Sequence, residues 1–248
     1  MSIEVKNLTK IYKLKKRMTK TAVDNISFTI PTGEIIGFVG PNGAGKSTTI
    51  KMLTGILVPD NGSILIDGKT FRKNRREIML KIGVVFGQKS VLCWDIPVLD
   101  TLKLFKDMYM VSDEIYMENM KLFKDILELD EFINQPPRLL SLGQRMKADL
   151  AASLLYNPDI LFLDEPTIGI DVLSKERIRD FIKKINSERH TTVILTTHDV
   201  SDIETLCEKM IIINKGSLIY DGTLTELKTF YRTTDLEEII KQIYRDGE

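Results

Sequence analysis

The stretch Gly40-Pro-Asn-Gly-Ala-Gly-Lys-Ser-Thr48 constrains this chain more than any other. It fits the pattern G-x-x-x-x-G-K-[ST], with Gly40, Gly45, Lys46 and Ser47 at the fixed positions. Glycines let successive backbone N–H groups curl around an anion, and a following helix turns its positive end to the same point. Pro41, Asn42, Gly43, Ala44 and Thr48 complete that cradle. Lys46 is expected to reach the β- and γ-phosphates of a nucleoside triphosphate, and the Ser47 hydroxyl to ligate Mg²⁺. The flanks agree: Glu34–Val39 enters as a short apolar strand, and Ser47–Leu53 leaves with helical spacing.

At 248 residues the chain can bury a sizeable core. Lys+Arg and Asp+Glu both total 35, so no overall field favours nucleic acid, and no nucleic-acid partner is expected. Cys93 and Cys207 lie far apart without metal-ligand spacing, as suits a reducing cytosol. The N-terminus lacks the apolar stretch of a signal peptide, and no apolar run approaches bilayer length. Any membrane crossing is therefore expected to fall to another chain.

Strands are predicted at Ile3–Val5, at Asn25–Ile30 with alternating apolar positions, at Ser63–Asp67 and at Lys81–Phe86. Lys10–Lys20 reads as a locally basic loop, either solvated or touching acidic lipid headgroups. From Val98 to about Asp130 the spacing turns helical, which predicts a mostly helical insertion. Asp159–Asp164 and Thr192–Thr196 read as buried parallel strands, Glu176–Ile185 and Ser201–Lys209 as helices. A hairpin is expected over 210–220, and a short helical tail with Leu236, Ile239, Ile240 and Ile243 on one face.

Asp164 ends an apolar strand, which gives a metal-positioning carboxylate rigid support at the sheet's carboxyl edge. Glu165 points the other way along the chain and is assigned to polarising the attacking water. A second anion site is expected where Ser141 and Gly143 open a helix, and one triphosphate does not need two.

Leu140-Ser-Leu-Gly-Gln144 resembles the signature motif of ATP-binding cassette (ABC) ATPases, most like the single-cassette drug and antibiotic export branch. The family's other motifs follow in order over essentially the whole chain: Tyr12, Gly40–Thr48, Gln88, Ile160–Pro166, Gly169-Ile-Asp171 and Thr197-His-Asp199. The resemblance implies an α/β P-loop NTPase (RecA-like) core with an N-terminal antiparallel β subdomain and an inserted α-helical signature subdomain. Its implied boundaries are an ATPase domain at 1–225, with core and β subdomain at 1–88 and 158–225 and helices at 89–157, and a tail at 226–248.

By the same resemblance, two copies, or this chain and a homologous cassette, close head to tail over ATP. Ser141, Gly143 and Gln144 then meet the γ-phosphate held by the other copy. Tyr12 would stack on adenine, Gln88 would sense Mg²⁺ and the water, Asp171 would bridge the copies, and His198 would hold the transition state. Leu142 departs from the pattern, standing where glycine is usual, and is expected to restrict the backbone there. With Glu165 and His198 both present, an active ATPase is expected. The implied partner is a separate membrane-spanning permease subunit, received in an apolar groove to which Trp94 and Leu92 are expected to contribute, with Phe105 and Tyr109 either joining it or packing the helical subdomain's own core, and the implied location is the inner face of the cell membrane. The alternatives are a soluble cassette without a permease, and a regulatory module that does not turn over.

Overall fold

The computed structural model describes residues 1–13, 18–87 and 89–246. Nine strands form two sheets among these residues. Strands β1 (Ile3–Lys13), β2 (Thr19–Ile30) and β4 (Asn61–Ile66) make an antiparallel sheet in the order β2-β1-β4. The second sheet runs β5-β6-β7-β3-β8-β9, from β3 (Ile35–Val39), β5 (Ile82–Phe86), β6 (Ile160–Asp164), β7 (Thr192–Thr196), β8 (Lys209–Asn214) and β9 (Ser217–Thr223). Its strands are parallel except β9, which pairs antiparallel with β8 at one edge.

The unbroken apolar runs of this sheet follow from burial of both faces. Ile36, Phe38, Phe162, Ile194 and Ile211 enter a core shared with the antiparallel sheet and with α1 (Lys46–Leu53). Their neighbours Val39, Leu161, Leu163, Leu195 and Ile212 enter a second core on the opposite face. That second core is filled by α3 (Val98–Met108), α4 (Asp113–Leu127), α5 (Leu142–Leu154) and α6 (Val172–Arg189). The predicted helical insertion between β5 and β6 is thus α3 to α5. Helix α7 (Val200–Leu206) connects β7 to β8, and α8 (Leu224–Tyr231) and α9 (Leu236–Asp246) follow β9. Leu236, Ile239, Ile240 and Ile243 are buried in the second core, so the expected tail helix packs on the main body.

Two expectations need correction, and one helix had no counterpart in the sequence reading. Helix α2 (Phe71–Met79) was not anticipated; it is basic, is kinked at Asn74 and buries Ile78 alone, so it carries little apolar periodicity. The helix predicted to reach Lys209 stops at Leu206, because Cys207 is already extended and Lys209 opens β8. Lys10–Lys13, Thr19 and Lys20, read as loop, belong to β1 and β2 and pair with one another; residues 14–17 of that basic stretch lie outside the described residues.

Phe162 is fully buried directly beneath Asp164 on β6. Phe162→Ala should cost about 3–5 kcal/mol of stability. Urea unfolding should show a lower midpoint with the slope unchanged.

Candidate functional site

The phosphate loop leaves β3 and enters α1 under tight backbone constraint. A Cβ on Gly40 would lie 2.3 Å from the Ile213 carbonyl oxygen of β8, and one on Gly45, at φ +109, would lie 2.4 Å from that of Ala22. Only glycine fits either place. The Lys46 side chain is buried and its Nζ donates to the carbonyls of Gly40 at 2.5 Å and Pro41 at 3.2 Å. Its third N–H remains for a phosphate. Burial lowers the pKa of this ammonium, and the carboxylates of Glu165 and Asp164 oppose the shift.

Parallel pairing of β6 with β7 and of β7 with β3 aligns Asp164 with Thr196, and Thr196 with Phe38. The loops after all three strands therefore meet at one edge. One cavity there is lined by Tyr12 and Lys20 together with Lys46, Ser47, Glu165 and His198. An adjoining cavity is lined by Ser47 and Asp164 together. A hydroxyl and a carboxylate are hard oxygen donors of the kind Mg²⁺ takes, so these residues fit the ion.

Glu165 holds a left-handed backbone, φ +58, uncommon for a residue with a side chain and typical of functional sites. Its N–H donates to the Thr196 carbonyl at 3.0 Å. Gly87 approaches so closely that a Cβ there would lie 2.5 Å from the Glu165 carbonyl oxygen. The Glu165 carboxyl oxygen Oε1 stands 3.0 Å from His198 Nε2. Burial raises the pKa of Glu165, while His198 and Lys46 pull it back. A carboxylate so placed can accept a proton from water.

Thr196 was missed in the sequence. Its hydroxyl donates to Asp164 Oδ1 at 2.5 Å and accepts from the Glu165 N–H at 3.2 Å, so it orients both acids. The signal was present as the polar run Thr196-Thr-His-Asp199 closing an apolar strand. Asp199 was quoted with its motif and given no role. Burial pushes its carboxyl up, but hydrogen bonds from Lys175 and Ser201 outweigh that and hold it at about 2.

Ser141, Gly143, Gln144 and Asp171 do not line the phosphate cavity. Ser141 caps α5 in a reciprocal box: its Oγ accepts from the Gln144 N–H at 3.2 Å, and its N–H donates to Gln144 Oε1 at 3.0 Å. Asp171 caps α6 by accepting from the Ser174 N–H at 2.9 Å. A Cβ on Gly143 would touch Ser174 Oγ at 3.2 Å, so this glycine lets the two helix starts approach. Leu142 lies within α5 and outside the left-handed region, so the expected restriction does not arise. A Cβ on Gly169 would lie 3.1 Å from Leu142 Cδ2, so that glycine makes room for the leucine.

The expected apolar groove is corrected too. Leu92 is buried in the core, and Tyr109 stacks on Tyr156 and Phe105, with centroid separations of 3.7 and 5.8 Å. Trp94 stays 50 % exposed, with the Arg145 guanidinium 5.9 Å from its ring centre. Gln88 lies outside the described residues.

The ABC transporter family profile matches residues 23–168. The chain belongs to the ABC transporter family. Among relatives of this cassette, the ABC transporter ATP-binding protein NatA of Bacillus subtilis (strain 168) is 32 % identical over 225 residues, spanning 91 % of each chain. The linearmycin resistance ATP-binding protein LnrL of the same organism is 35 % identical over 228 residues, spanning 91 % of this chain and 70 % of the relative. A solved dimeric ATP-binding cassette, described as a post-hydrolysis state bound to ADP and Pi, superposes with TM-score 0.80 at 29 % identity, covering 90 % of this chain and 98 % of that one. An ATP-binding subunit of an ABC transporter superposes at 0.87 with 23 % identity, covering 98 % and 99 %, which supports the fold. The cassette is an ATPase of the P-loop α/β class. Among its described residues no helix is long and apolar enough to cross a membrane.

Asp149 of α5 is buried, and its Oδ1 accepts from Ser90 Oγ and the Val91 N–H, both at 2.8 Å. Burial pushes its carboxyl up to about 6, against the pull of those hydrogen bonds. A folded-state value above the unfolded one means stability is greatest below the ordinary carboxylate range and falls as pH rises through about 6. Asp149→Asn should remove that loss. Urea unfolding at pH values between about 4 and 7 should show the parent losing on the order of 1–3 kcal/mol relative to the variant. Parallel pH profiles would contradict this.

Proposed function

We propose that this cassette is the ATP-binding and hydrolysing subunit of an exporter, acting as a head-to-tail pair with separate membrane-spanning permease subunits. The observation that carries the reading is the Glu165–His198 contact of 3.0 Å beside the phosphate loop, with Ser141 and Gly143 outside the cavity that this loop lines. A hydrolytic pair is in place, and the signature helix is free to serve a second copy. Export is favoured by the relative named for linearmycin resistance. The division into an ATPase domain at 1–225, with helices at 89–157, and a tail at 226–248 belongs to the same proposal.

In this account the amides of the loop from Gly40 to Thr48 hold the triphosphate, and Lys46 adds its remaining N–H to the terminal phosphates. Tyr12, which also lines the cavity, offers its ring to the adenine. Ser47 and Asp164 would hold Mg²⁺, with Gln88 as a further ligand; the ion neutralises developing phosphate charge when bound. Glu165 takes a proton from the attacking water, and His198, beside it at 3.0 Å, holds the γ-phosphate and the transition state. Ser141, Gly143 and Gln144 of the partner copy close the open side, with Asp171 at the seam between copies. The permease places the pair on the inner face of the membrane.

Glu165→Gln keeps shape and loses the base. It should lower ATP turnover by about 10²–10⁴-fold and leave ATP affinity near that of the parent. Turnover near the parent rate would remove Glu165 from the base role. A second expectation concerns Trp94, an exposed ring on the permease-facing side of this account. Trp94→Ala should reduce recovery of the permease with the tagged cassette while ATP binding stays unchanged, and undiminished recovery would overturn that role.

A further inference from the structure

Asp202, in the first turn of α7, is completely buried and takes no part in the mechanism above. A buried carboxylate is costly unless it is fully partnered, and this one is. Its Oδ1 accepts from Arg179 Nε at 2.7 Å and also contacts Nη2 of the same guanidinium, so both nitrogens share one oxygen. Its Oδ2 accepts from two hydroxyls, those of Thr167 and Thr197, the latter at 3.0 Å. Thr167 lies two residues after Glu165, and Thr197 immediately precedes His198. One carboxylate oxygen therefore joins the loop carrying the base to the loop carrying the histidine.

Local bonds extend the clamp on both sides. The Thr197 hydroxyl also accepts from the Asp199 N–H at 3.0 Å, so the backbone flanking His198 is held before and after it. Arg179 Nη2 donates to Ser201 Oγ at 2.6 Å, and Lys175 Nζ donates to Asp199 Oδ2 at 2.8 Å. Both cations stand on α6, the helix that Asp171 caps.

We propose that Asp202, held by Arg179, is a positioning residue for ATP hydrolysis: through the hydroxyls of Thr167 and Thr197 it sets the separation of Glu165 and His198 and ties that separation to α6. The inference rests on the assignment of Glu165 and His198 to the hydrolytic step. Misplacing a base by a fraction of an ångström slows chemistry without loosening a nucleotide held by the phosphate loop. The clamp should therefore appear in kcat and leave nucleotide affinity alone.

The test uses paired substitutions at each threonine. Thr167→Val and Thr197→Val keep the shape and lose the hydroxyl; Thr167→Ser and Thr197→Ser keep the hydroxyl and lose a methyl. We expect each Val variant to lower kcat by about tenfold with the Kd for ATP within about twofold of the parent, and each Ser variant to recover most of the parent kcat. Asp202→Asn should act in the same direction, and the threonine pairs decide the matter if it does not fold. Val variants that turn over within about twofold of the parent, or Ser variants as slow as their Val counterparts, would overturn the proposal. Measured beside Glu165→Gln, the outcomes separate: loss of activity in Glu165→Gln with full activity in the Val variants removes the clamp alone, whereas an active Glu165→Gln removes the hydrolytic assignment beneath it.

Discussion

Parallel pairing of β3, β6 and β7 is the constraint on which the site depends. Hydrogen bonding in register brings the ends of these strands to one edge, so segments distant in sequence deliver Lys46, Asp164, Glu165 and His198 to one place. Burial of both sheet faces makes that edge rigid, since a register slip would expel apolar side chains from two cores at once. Glycine then settles the fine geometry: Gly40 fits beneath the Ile213 carbonyl, and Gly87 fits against the strained backbone of Glu165.

The polar layer above the cores does a different job. Thr196 joins Asp164 to Glu165, and Asp202 joins the loops of Glu165 and His198, each through hydroxyl bonds to a carboxylate. Such bonds are short-range and directional, and the low dielectric around them makes an unsatisfied member costly. The catalytic loops are thereby referred to the sheet and to α6. Since Asp171 caps α6 and Gly143 packs against its first turn at Ser174, the helix that supports Arg179 also supports the surface offered to a second copy.

Much of this was legible in the sequence where chemistry demands particular residues at particular spacing. The phosphate loop, the acids closing an apolar strand, and a serine and glycine opening a helix each carry their reason locally. Helix α2 was missed because only Phe71 and Ile78 mark its inward face in a basic segment kinked at Asn74. Thr196 and Asp202 were missed because their partners are set by tertiary pairing; in sequence they are an ordinary strand-end threonine and an ordinary helix aspartate. Between the two readings open for Phe105 and Tyr109 the structure takes internal packing, since an aromatic at helical spacing is as readily a stacking partner for Tyr156 as part of a groove. Leu142 is the reverse case: a departure from pattern that looked restrictive is absorbed by the room at Gly169.

The central claim is that one chain holds both halves of a composite site and cannot close them on itself. Light scattering with ATP and Mg²⁺ tests it most directly, using Glu165→Gln with and without Ser141→Arg in the same chain. The account predicts that Glu165→Gln alone has the mass of a dimer, whereas the double variant stays monomeric and binds ATP with unchanged affinity. A double variant that dimerises equally well, or that loses ATP binding as a monomer, would contradict it.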